Sequence, residues 1–165
     1  MRKTVSIAVS LVAAGTIAFL AASCGSDTTA PANKTYVANL IAANEGTGHT
    51  SPGSGVFTFV DLGNEIDWTL DLTNITAVIA SHIHLGDATA VGANAGPIII
   101  NLFTPNGPTG TLNGRVAHGS ITNANNANVS LDSLRVLFNN GNAYANVHTS
   151  ANLGGEIRDQ VHPVQ

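Results

Sequence analysis

The chain has 165 residues, 44% of them apolar and 10% charged; that suits one folded domain and is too apolar and too weakly charged for a disordered protein. Six Lys plus Arg against ten Asp plus Glu give a formal net charge of −4, so no basic patch is available and nucleic acid is excluded as an expected partner. A single cysteine rules out an internal disulfide.

Residues 1–24 (MRKTVSIAVSLVAAGTIAFLAASC) read as an export signal. Arg2 and Lys3 form a positive start, Val5 to Ala22 is almost wholly apolar, and Ala21, Ala22 and Ser23 precede Cys24. The small-small-Cys ending resembles a bacterial lipobox, with Leu20 one position early and Ala21 in the usual leucine place. That resemblance implies cleavage before Cys24 and a lipid on this cysteine, which anchors the chain to a membrane. Ordinary secretion and a retained apolar anchor are the alternatives. The mature chain then has 142 residues (165 minus 23), four of them basic and ten acidic, for a charge of −6. Residues 25–33 (GSDTTAPAN) are small and polar, as in a flexible tether. Gly25 stands where an aspartate would retain such a lipoprotein at an inner membrane, so the outer membrane or cell surface is favoured. The expected layout is a signal over 1–23, the lipidated Cys24 and tether over 24–34, and one domain over 35–162.

Short strands follow. Residues 35–43 (TYVANLIAA) open the domain, and 55–62 (GVFTFVDL) lead through Gly63-Asn64 into a hairpin partner. In 65–72 (EIDWTLDL), Ile66, Trp68, Leu70 and Leu72 alternate with Glu65, Asp67, Thr69 and Asp71, the period of a half-buried antiparallel strand. Residues 75–85 (ITAVIASHIHL) and 97–103 (PIIINLF) are more continuously apolar, as in central strands. Segments 111–121, 143–149 and 155–161 bring the expected number to about eight. Gly, Asn and Pro clusters between them predict an all-β antiparallel fold, a sandwich or barrel of Greek-key or immunoglobulin-like kind. In 130–139 (SLDSLRVLFN) the spacing of Leu131, Leu134, Leu137 and Phe138 is helical, with Ser130 as N-cap and Gly141 as stop. One short helix is expected to close an end of the sandwich.

Functional chemistry rests on histidines. His82-Ile83-His84 on a strand places two imidazoles on one side, with Ile83 directed into the core. His148 lies in a second strand-like segment, Asn146-Val147-His148-Thr149. If the two strands are neighbours, His82, His84 and His148 converge as a metal site. Three neutral imidazoles suit copper or zinc and leave an open coordination position. The competing reading is that these histidines bond loop carbonyls and serve the fold alone. His49 and His162 are expected in solvent, and His118 beside Arg115 is ambiguous.

Three motifs together resemble the CHRD, or chordin-type, domain. Ala80-Ser81-His82-Ile83-His84-Leu85-Gly86 is similar to A-x-H-I-H-x-G, and residues 141–149 (GNAYANVHT) to G-x-A-Y-V-N-V-H-T. Residues 154–161 (GGEIRDQV) are similar to G-E-I-R-G-Q, with Asp159 where that family usually has Gly. Glu45-Gly46-Thr47-Gly48 stands where it often shows E-x-P-P. The resemblance covers residues 35–162 and implies an exported all-β module. It places His82, His84, His148, Glu156 and Arg158 at motif positions. Glu156 and Arg158, two residues apart, are expected on one strand face, as a pair orienting an imidazole or as a structural ion pair. His82-Ile83-His84-Leu85-Gly86-Asp87 also resembles the H-V-H-x-x-G-D of copper–zinc superoxide dismutase. Residues 85–117 hold no histidine, however, and the two cysteines of that enzyme's disulfide are missing, which argues against a full dismutase.

Two functions emerge. One is a lipid-anchored module that binds copper, or zinc, through H-x-H plus a third histidine. The other is a cell-envelope adhesion or protein-interaction module with an envelope or extracellular partner, its histidines structural. No nucleophile elbow, phosphate loop or H-E-x-x-H helix points to an enzyme, and Asp67 and Asp71 are expected as solvated surface charges.

Overall fold

A computed structural model describes residues 33–46, 48–90 and 95–165; the expected export signal, Cys24 and most of the expected tether lie outside them. Among the described residues nine strands form two antiparallel sheets, accompanied by one α-helix. Strands β1 (Lys34–Leu40), β2 (Ser54–Asp61) and β3 (Ile66–Ile75) build a meander. With β6 (Leu112–Ile121) and the two-residue β9 (His162–Pro163) they make a five-stranded sheet, ordered β6-β3-β2-β1-β9. The second sheet is ordered β5-β4-β7-β8, from β4 (Val78–Leu85), β5 (Ile98–Phe103), β7 (Ala143–Thr149) and β8 (Ile157–Gln160). This is a sandwich rather than a closed barrel.

The alternation in β3 does what its sequence requires. Ile66, Trp68, Leu70 and Leu72 are buried between the sheets against Phe57 and Phe59 of β2. From the other sheet Val78, Ile83, Ala145, Val147 and Ile157 enter the same core. Burying each large apolar side chain contributes about 1.5–3 kcal/mol. Helix α1 (Leu131–Asn139) closes one end by burying Leu131, Leu134 and Phe138, the Phe138 ring lying 5.1 Å from that of Tyr36. Ser130 caps its start by accepting from the Ser133 amide. At its end Gly141, at φ +61°, lets the Asn142 amide reach back to the Leu137 carbonyl. Arg135 then ties the helix to Asp61 at 2.7 Å.

Two expectations need correction. Strand 75–85 is two pieces: Ile75 ends β3, and Ala77, at φ +56°, turns the chain before β4 starts at Val78. Segment 97–103 is an edge strand, not a central one. Its apolar run survives at an edge because Ile99 and Ile100 pack inward while Ile98 stays 44% exposed. The ninth strand, β9, was too short to carry a pattern.

Candidate metal centre

Strands β4 and β7 lie side by side at the middle of the four-stranded sheet, with His82 opposite Asn146, His84 opposite Tyr144 and Ala80 opposite His148. Ser81 and Ile83, on either side of His82, are buried. The outward face of this pair therefore carries His82, His84, Tyr144, Asn146 and His148. Segment 86–90 crosses the neighbouring β8 and is held there by Gln160 and Arg158 through the Gly86 and Ala90 carbonyls. The face is consequently not open surface: His84 and His148 are buried and His82 is half-buried.

The three imidazoles offer one nitrogen each, and these nitrogens all lie within 4.8 Å of one another. A tetrahedral ion with metal–nitrogen bonds of about 2.0–2.1 Å needs its donors about 3.4 Å apart, so side-chain adjustments of an ångström suffice. Two tautomers are set by the backbone. His84 Nδ1–H donates to the Gly96 carbonyl at 2.8 Å and His148 Nδ1–H to the Leu153 carbonyl at 2.9 Å. A carbonyl only accepts, so in each neutral ring Nε2 carries the lone pair. His84 Nε2 is buried and has no hydrogen-bond partner. His148 Nε2 accepts from His82 Nδ1–H at 3.0 Å. Burial depresses the pKa of all three, and the neighbouring His148 and His84 rings help push His82 down to about 4. The cluster is thus neutral at pH 7, the form that binds metal.

Behind it stands a buried relay of side chains. Tyr144 stacks on His84 with ring centroids 4.8 Å apart, and the Arg158 guanidinium lies 5.5 Å from the Tyr144 ring. Arg158 is 3% exposed and pairs with Glu45 at 3.1 Å, while its Nε also donates to the Asn44 carbonyl. The expected pairing of Glu156 with Arg158 is therefore replaced. Glu156 precedes β8, and its carboxylate accepts from Ser51, Thr149 and Asn152, fixing the loop that supplies the Leu153 carbonyl. Asp159, in the usual glycine position, accepts from the Asn39 amide and from Asn44. It joins β8 to β1 and the Ala42–Glu45 turn.

The remaining histidines stay apart from the cluster. His49 is half-buried rather than solvated, because its Nε2–H donates to the Glu156 carbonyl at 2.9 Å. His118 and His162 are exposed. Asp71 is engaged by Arg115 in an exposed pair at 3.0 Å, and Asp67 accepts from Ser120. Sequence reasoning missed Asn146 and the role of Glu45. Their partners are distant in the chain, and only the resemblance of the motifs around them marked either position.

An antiparallel sandwich with three neutral imidazoles gathered on adjacent strands defines a β module with a candidate transition-metal centre. Residues 36–161 match the CHRD domain, and the chain belongs to that family. No curated protein and no solved structure matches it.

Proposed function

We propose that this CHRD-domain protein is exported, held to a membrane by a lipid on Cys24, and binds one transition-metal ion through His82, His84 and His148. The observation that carries the metal reading is the buried, unpartnered Nε2 of His84, facing two further neutral imidazoles within 4.8 Å. Leaving such an atom unpaired costs about 1–3 kcal/mol, and a metal bond removes that cost. Copper is favoured over zinc, because for nitrogen donors the divalent series peaks at copper, and neither Cys nor Met is present among the described residues to bind softer ions. The anchor rests on the sequence of residues 1–24. The second reading, an envelope adhesion module, is supported by the His82–His148 hydrogen bond, which already satisfies two of the rings without a metal.

One experiment separates the two. The full chain is expressed with its own leader in a bacterial host supplied with copper and zinc, fractionated, and purified without chelator. The expected result is recovery with membranes, abolished by Cys24→Ser, and about one metal per chain, lost in a folded His82→Ala/His84→Ala control. Absence of metal from both proteins, even after titration with copper and zinc, leaves the histidines as scaffold. A Cys24→Ser chain still found in the membrane fraction removes the lipid anchor.

A further inference from the structure

Resting on the metal reading, we propose that Asn146 holds a small anion in the fourth coordination position of the metal, its side-chain amide hydrogen-bonding the anion. The cross-strand register carries the placement. Asn146 lies directly opposite His82, two residues from His148 on the same strand face, and diagonal to His84 across the ladder. The three imidazoles thus occupy three of four neighbouring positions on this face of the β4–β7 pair, and Asn146 takes the fourth. On its other side Asn146 is paired with Arg158 of β8.

Asn146 is fully buried, with its amide beside the His84 ring, yet neither its Nδ2 nor its Oδ1 makes a hydrogen bond of good geometry. A buried amide left this way is costly, and an apolar side chain of the same size would be free of that cost. An asparagine here needs an occupant that accepts from Nδ2 and, where it carries a proton, donates to Oδ1. Hydroxide does both; azide and similar small anions do the first. Charge points to the same class. A divalent ion held by three neutral rings keeps its full +2 charge, no carboxylate joins the three donors among the described residues, and the Arg158 guanidinium lies 5.5 Å from the Tyr144 ring that stacks on His84. Three-histidine sites of this kind leave a position for an exogenous ligand. His84, His148, Asn146 and Tyr144 are all buried and segment 86–90 crosses the adjoining β8, so the occupant is limited to a few atoms.

Azide titration of the full-length protein loaded with copper(II), followed by the azide-to-copper absorption band, tests this. Wild type is compared with Asn146→Leu and Asn146→Ser. All three are expected to keep one copper per chain. Azide binding is expected to weaken about tenfold in Asn146→Leu, the loss of one hydrogen bond to a charged group, and less in Asn146→Ser, which keeps a donor. Unchanged azide affinity in Asn146→Leu overturns the proposal, as does loss of copper from both folded variants, which would make Asn146 a metal donor itself. Should Asn146→Leu not fold, wild-type azide affinity in Asn146→Ser overturns it equally. Failure of the wild type to bind copper is a different result: it removes the metal reading itself.

Discussion

Glu45 sets burial against charge within one side chain. Its side chain is 4% exposed, and Oε1 has no hydrogen-bond partner. Burial drives its pKa up to about 7, against the pull of Arg158 and His49 and with a small push from Glu156. Between the ordinary value of 4.5 and about 7, the folded state then holds a proton that the unfolded state has released. Stability contributed by this group is therefore greatest below pH 4.5 and falls as pH rises to about 7. Thermal melts of wild type and Glu45→Gln across pH 4.5 to 8 read this directly. The advantage of wild type over the variant is expected to shrink with rising pH and to level off above about 7. An advantage that grows with pH would mean that attraction to Arg158 outweighs burial. At this scale the histidines were legible in the sequence, because a period of two fixes which side of a strand His82 and His84 share. Glu45 and Asn146 were not, since their significance comes from Arg158 and from the opposite strand.

The elements explain why the cluster is held where it is. Hairpin β4–β5 supplies two of the ligands and, through Gly96, the carbonyl that fixes the His84 tautomer. A Cβ at Gly96 would overlap the backbone carbonyl of Leu85, so the close approach of the two strand ends requires glycine. Gly96→Ala must push this backbone aside and carry the acceptor away from His84 Nδ1. Metal affinity is expected to fall about 10–100-fold, as for other losses of an outer hydrogen bond to a ligating histidine, with about 1–3 kcal/mol of stability lost through overpacking. Copper titration and thermal melts of the variant check both; wild-type affinity would show that the Gly96 carbonyl does not orient the ring. Legibility at this scale followed local pattern. The alternation of β3 and the capped apolar stripe of α1 survive folding because each is complete within its own segment. The apolar run of β5 misled because inward packing at a sheet edge leaves the same signature as a central strand. Which strands neighbour which was invisible in the sequence, and the site depends on that: β4 and β7 meet although 66 residues separate His82 from His148.

In the whole molecule the core and the candidate metal centre occupy opposite faces of the same sheet. The core between the sheets is continuous from Tyr36 to Val161 and contains none of the three histidines. Folding is therefore expected to need no metal, unlike that of small domains whose only core is their ion. An ion held by His82, His84 and His148 would clip together β4 and β7, and it would bind only when they are paired. By mass action, a metal present at a hundredfold excess over its dissociation constant adds about 2.7 kcal/mol, on the order of 10 °C in Tm for a domain of this size. The chelated protein is expected to melt cooperatively, and copper to raise its Tm by that amount, reversibly on renewed chelation. His82→Ala is the suitable control, since this ring is only half-buried and its loss disturbs the fold least. Its chelated form should melt close to wild type and respond weakly to copper. Equal copper shifts in the two proteins would place the binding elsewhere, and unfolding on chelation alone would show that the clip, rather than the core, holds the sheets.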